Sequence, residues 1–158
     1  MTARTAVPLA QMLMLAAWLG AALLFTTVVA PAAFAALPSR TLAGAVVGRV
    51  LPALFYTGIA VGVVVFLLDT VASTGAWTRA LAGAVTAVAC AIAQIIVGGR
   101  IERLRQQIAG PIDALAADDS RRVAFGRLHA FSVGWLGIAI LTALVALVLA
   151  ARALQVRR

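Results

Sequence analysis

The amino-acid sequence predicts an all-α membrane protein, a single bundle of four transmembrane helices. Hydrophobic residues make up 64% of the 158 residues and charged residues only 11%, and the mean hydropathy is +1.08. A soluble domain of this size carries about 25% charged residues, so this composition cannot cover a water-facing surface but can face lipid. Four long stretches without charge also follow one another along the chain, and each is long enough to cross a bilayer as a helix.

The first stretch lies between Arg4 and Arg40 and is longer than the about 20 apolar residues that one crossing needs. We expect one helix over residues 8–37, where Pro31 permits a kink and Pro38 ends the helix. A cleaved signal peptide is the alternative. Its hydrophobic region would cover only about 7–15 residues, and this run is much longer, so we favour a retained helix.

The other three stretches are bounded by charges in the same way, and about 20 apolar residues suffice for each. They end at Asp69, Arg100 and Arg152. We therefore expect three further spans, over residues 46–69, 78–99 and 127–151.

The one sizeable polar stretch covers residues 100–126. Its first part repeats apolar residues at helical spacing from Ile101 to Ile108, which predicts that the third helix continues beyond the membrane. The dipeptide Gly110-Pro111 then breaks the helix. The run Asp118-Asp119-Ser120 offers a start for the fourth helix.

The charge distribution indicates lipid contacts and an orientation. All 13 basic residues are arginine, the net charge is +8, and the arginines stand between apolar stretches. This pattern argues against nucleic-acid binding and favours contacts with anionic lipid head groups. Eight arginines fall on the side of the loop over residues 100–126 and five on the side of both termini. Because basic residues accumulate on the cytoplasmic side, we expect this loop in the cytoplasm. The five on the opposite side are Arg4, Arg79, Arg152, Arg157 and Arg158.

Small residues in and beside the spans predict close approach of the helices, because burial alone drives helix association little in lipid. Gly58 and Gly62 form a GxxxG pattern in the second span. We expect these glycines to pack within the chain, and a partner interface is the alternative. The same expectation covers the further glycines Gly44, Gly48, Gly134 and Gly137.

No catalytic constellation is found in the sequence. It has no serine–histidine–acid set, no glycine-rich phosphate loop and no carboxylate pair inside a span. We therefore expect a protein that is not an enzyme and has no cofactor. Cys90 is the single cysteine, so neither a disulfide within the chain nor a cysteine metal cluster can form.

Polar residues at one end of the bundle form the candidate binding site. They could bind an anionic head group or a small polar ligand. The alternative, which we favour, is a ring of interfacial anchors whose side chains extend to water. The set comprises Arg49, Gln94, Arg100, Glu102, Arg127 and His129. His129 is the single histidine and would need a second ligand to hold haem. Its place at a helix start favours an interfacial hydrogen bond.

Several motifs follow one another in the order found in a known family. They are Ala17-Trp-Leu-Gly-Ala21, Val29-Ala-Pro-Ala-Ala-Phe-Ala-Ala-Leu-Pro38, Gly48-Arg-Val-Leu-Pro-Ala-Leu-Phe-Tyr56, Arg100-Ile-Glu102 and Phe125-Gly-Arg-Leu-His-Ala-Phe-Ser132. In these motifs the chain resembles the transmembrane-protein-205-like family, a domain of unknown function. The resemblance implies four transmembrane helices. We expect the protein to lie in the bacterial cytoplasmic (inner) membrane. Members often have a histidine early in the first helix, where this chain has Gln11, and an asparagine where it has Trp135.

These observations predict a non-enzymatic accessory or assembly subunit of a larger respiratory, photosynthetic or transport complex. Its expected partners are membrane lipids and other membrane-protein subunits. The alternatives are a small-molecule or ion carrier and a protein that contacts haem or pigment through His129. A carrier usually has an ionisable residue at membrane depth, whereas all five acids stand at span ends or in the long loop.

Overall fold

The computed structural model describes residues 3–71, 76–108 and 110–155, except for the side chains of Ala3 and Arg4. These residues form four long helices and no strand, which confirms the predicted fold class. Each helix is long and apolar enough to cross a membrane. Helix α1 combines three consecutive segments, Ala3–Leu24, Phe25–Val29 and Ala30–Ala36; α2 is Arg40–Val71, α3 is Trp77–Gln106 and α4 is Ser120–Gln155.

Helix α1 passes through Pro31 without ending there. Its backbone widens to a π-helical turn over Phe25–Val29, just before the proline. Proline has no N–H, so the carbonyl of Thr27, four residues earlier, cannot receive its usual helical bond. A π-turn absorbs such an interruption within a continuous helix. The helix ends at Ala36, and Leu37 is extended, as expected for a residue that precedes a proline.

Helices α2 and α3 approach closely because glycines face each other across their contact. A methyl group on Gly62 would come within 2.5 Å of the carbonyl oxygen of Gly83, and one on Gly58 within 2.6 Å of the Cys90 sulfur. Gly58 and Gly62 therefore pack against α3 of the same chain, as predicted. Gly83, their neighbour in α3, was not among the predicted packing residues.

A single hydrophobic core joins the four helices. From α1 it includes Leu15 and Trp18, and from α2 it includes Phe55. Helix α4 contributes small side chains to the same core, and four of its alanines are fully buried. They are Ala139, Ala143, Ala146 and Ala150.

The helices extend beyond the predicted spans at the polar loop. Helix α3 continues to Gln106 and α4 already begins at Ser120, so residues 107–119 form the connection. Gly110 has a positive φ of 128°, which is a conformation that favours glycine and agrees with the predicted break. Asp119 caps α4 by accepting a 2.8 Å bond from the Arg121 backbone N–H.

Candidate functional site

One end of the bundle carries most of the arginines, and we call it the arginine end. Here α2 begins, α3 ends and α4 begins. The predicted binding set lies on these three helices, with Arg49 on α2, three members on α3, and Arg127 and His129 on α4. No hydrogen bond joins any two members within the described residues. Glu102 instead accepts a 3.4 Å bond from Gln106, and His129 stacks on Phe125. The three members on α3 are Gln94, Arg100 and Glu102. Ligand binding by the whole set stays a prediction.

Several arginines at this end are already engaged by protein groups. Arg103 donates to the Gly99 carbonyl at 3.1 Å, and Arg122 donates to the Leu115 carbonyl at 2.7 Å. Arg121 forms an ion pair with Asp119 at 2.8 Å. The side-chain hydrogen bond from Arg121, followed by that from its backbone N–H, lowers the pKa of Asp119 to about 2.

Arg105 is the arginine that α2, α3 and α4 enclose. Its side chain is half-buried, and its guanidinium carbon lies 5.6 Å from the centre of the Phe125 ring. A methyl group on Gly48 would come within 3.4 Å of Arg105 Nη1, and one on Gly44 within 4.0 Å of Nη2. The two glycines therefore face the arginine. Arg105 was not among the predicted site residues, because in the sequence it stands beside other arginines of the same segment.

The opposite end of the bundle, where α2 ends and α3 begins, holds a buried ion pair. Arg79 Nε donates to Asp69 Oδ2 at 2.8 Å, and Arg79 Nη2 makes a second bond to Asp69 Oδ1. The side chains are 4% and 0% exposed. From the sequence, both residues were predicted to be charges at the ends of spans. The structure instead turns Arg79 inward, because the antiparallel helices bring the two charges together.

A shallow pocket lies beside this ion pair. Asp69 and Trp77 line it with small neighbours, and the Trp77 side chain is 68% exposed. An exposed tryptophan at a helix start is typical of an interfacial anchor. Of the other charges assigned to this end, Arg157, Arg158 and the side chain of Arg4 lie outside the described residues.

Polar side chains also link the helices inside the bundle. Trp18 Nε1 donates to the Leu54 carbonyl at 2.9 Å. The hydroxyls of Thr86 and Thr142 are 2.8 Å apart and link α3 to α4. Gln11 is fully buried, and its Nε2 donates to the Val65 carbonyl at 3.3 Å. The Gln11 Oε1 has no hydrogen-bond partner among the described residues.

The outward face of α4 forms an open apolar groove. Its lining residues include Phe131, Gly134 and Trp135. A methyl group on Gly134 or Gly137 would meet no atom within 4 Å. This differs from the expectation that these glycines pack within the chain, because they turn away from the other described helices.

The described residues contain no group of three or more histidine, cysteine, aspartate or glutamate side chains that could hold a metal ion. His129 is exposed at the arginine end, and Cys90 is buried in the core.

A protein-family model covers more than half of the chain. The family model described as "Domain of unknown function (DUF4149)" matches residues 13–109. The match covers most of α1 and all of α2 and α3, and it stops before α4. It agrees with an uncharacterised membrane domain but gives no link to the transmembrane-protein-205-like family. No curated protein and no solved structure matches the chain.

Proposed function

Because this chain belongs to the DUF4149 family, a domain of unknown function, we propose its role from the bundle itself. It is a non-enzymatic accessory or assembly subunit that binds another membrane protein through the outward face of α4. We place it in the bacterial inner membrane with the arginine end in the cytoplasm. The resemblance to the transmembrane-protein-205-like family supports the four-helix design and leaves the partner open.

The observation that carries this proposal is the different use of glycines in the bundle. Gly58 and Gly62 pack against α3, whereas a methyl group added to Gly134 or Gly137 would meet no atom within 4 Å. Small residues on a lipid-facing helix let a second helix approach closely, and such contacts drive association in membranes. The exposed Phe131 beside Gly134 supplies apolar surface next to this space. The face therefore fits a partner helix.

The interior of the bundle favours binding over transport. A carrier needs a polar route through the membrane, and ionisable groups at membrane depth usually mark it. In the described helices the buried ion pair of Asp69 and Arg79 lies at one end, and the core between the ends is filled mainly by apolar side chains. The buried hydroxyls of Thr86 and Thr142 bond each other, which suits a structural role.

The proposal is tested with the full chain, tagged and solubilised in a mild detergent. We expect specific membrane proteins to copurify with the wild type and to be lost with Gly134→Leu. Gly20→Leu is the matched control, because Gly20 is an outward-facing glycine of α1 with nothing within 4 Å of an added methyl group. Equal recovery with both variants, or no specific copurifying protein, would contradict the proposed docking face.

A further inference from the structure

Three helices position the side chain of Arg105 at the arginine end. The guanidinium stacks on Phe125 of α4 and faces Gly44 and Gly48 of α2, so three helices fix its orientation. Within the described residues it forms no salt bridge and donates no hydrogen bond to a side chain or carbonyl. An arginine has five N–H donors and no acceptor. The side chain is only partly buried, so these donors can reach an acceptor outside the bundle.

The position of Arg105 along α3 places it at the level of lipid head groups. Helix α3 carries the buried Arg79 near its start and Arg105 near its end, and 105 − 79 gives 26 residues. At about 1.5 Å per residue this is about 39 Å, close to the about 40–45 Å between the outer limits of the two head-group layers. A helix that crosses the bilayer with Arg79 at one surface therefore brings Arg105 to the opposite one.

We propose that Arg105 is the centre of a phosphate-binding site between α2, α3 and α4. The planar guanidinium matches two phosphate oxygens with two parallel N–H bonds. Phe125 shields one side of it from water, which strengthens the interaction with an anion. The glycines leave room beside the guanidinium that larger residues would fill. The exposed Arg49, Arg100 and Arg127 raise the positive potential around the site.

The phosphate can come from an anionic phospholipid or from a soluble phosphate, and the same guanidinium would bind either. Neither source requires the α4 docking face, so this inference stands apart from the proposed function. Because the site lies at head-group level, we expect the lipid to be the source.

The test uses the purified full chain in detergent, with thermal unfolding and native mass spectrometry as readouts. Phosphatidylglycerol is compared with phosphatidylcholine, and inorganic phosphate is added in a separate arm. We expect phosphatidylglycerol to bind and to raise the melting temperature of the wild type. Arg105→Gln should bind it about tenfold more weakly, since a charge-assisted bidentate contact is lost. Stabilisation by inorganic phosphate that Arg105→Gln abolishes would also support the site, and would assign the soluble source.

Two further variants keep the test decisive. Arg103→Gln removes the same charge from the same helix, but the Arg103 guanidinium bonds the Gly99 carbonyl, so binding should be nearly unchanged. Gly48→Leu keeps every charge and places a side chain where Arg105 lies, so it should weaken binding as Arg105→Gln does. If Arg105→Gln does not fold, the binding of phosphatidylglycerol to Gly48→Leu tests the proposal instead. Wild-type affinity in Arg105→Gln or Gly48→Leu, or an equal loss in Arg103→Gln, would overturn the proposal.

Discussion

Asp69 and Arg79 form a two-bond ion pair that is almost completely buried where α2 meets α3. The pair links the end of α2 to the start of α3. The same two helices are in close contact at Gly62 and Gly83. Removing two charges from water is costly, and only good geometry and further hydrogen bonds offset this cost. The pair therefore makes each partner indispensable to the other, whether or not it stabilises the bundle compared with an apolar pair.

The ion pair predicts strongly non-additive mutational effects. Asp69→Leu or Arg79→Leu alone breaks the ion pair while the other charge stays buried, and should destabilise the protein by about 3–5 kcal/mol. The double variant should lose much less than the sum of the two. The free energy of unfolding is measured in mixed detergent micelles for the wild type, the two single variants and the double variant. The difference between the double variant and the sum of the single variants gives this coupling. Additive losses would show that the two side chains act independently.

The glycine contact predicts a position-dependent effect of one methyl group. Gly62→Ala places a methyl group 2.5 Å from the Gly83 carbonyl oxygen, and relieving such a clash costs about 1–3 kcal/mol. Gly137→Ala is the matched control because its methyl group meets open space, and a glycine inside a helix is itself unfavourable. We expect a lower melting temperature for the first variant and an unchanged or higher one for the second. An unchanged Gly62→Ala protein would contradict the close contact of α2 and α3.

The four helices followed from the sequence because long charge-free runs leave the chain few alternatives in a bilayer. The neighbours of each side chain could not be predicted from the sequence. The pairing of Asp69 with Arg79 depends on how α2 packs on α3, and charge spacing alone places both at span ends. Between residues 130 and 151, α4 carries no charge on any side, so its sequence cannot distinguish the outward Gly134 from an inward residue. Arg105 stands among neighbouring arginines that look equivalent until α2 and α4 enclose it.

The buried amide of Gln11 predicts a stabilising substitution. Its Oε1 has no hydrogen-bond partner among the described residues, and such a buried acceptor costs about 1–3 kcal/mol. Gln11→Met keeps a similar shape and removes both polar atoms, so the melting temperature in detergent should rise. Trp18→Phe is the contrasting variant. It removes the 2.9 Å bond to Leu54 and should lower the melting temperature. A less stable Gln11→Met protein would indicate that Oε1 binds a partner such as a buried water.

The last prediction concerns the orientation of the bundle, and both probes lie on α4. Ser120 begins this helix and Gln155 ends it, so 35 residues, or about 53 Å, separate them. The arginine end contains eight of the arginines, and at the other end Arg79 is paired with Asp69. The positive-inside rule therefore favours a cytoplasmic arginine end.

Single cysteines at the two positions, in a Cys90→Ala background, make this orientation measurable. In intact spheroplasts a membrane-impermeant thiol reagent should label Gln155→Cys and spare Ser120→Cys. Permeabilised membranes provide the control, because both cysteines should then react. The reverse pattern would invert the orientation while leaving the bundle intact. Labelling of both cysteines in intact spheroplasts would mean that α4 does not cross the membrane, which contradicts the four-span bundle, because one continuous helix cannot have both ends on one surface and still span it.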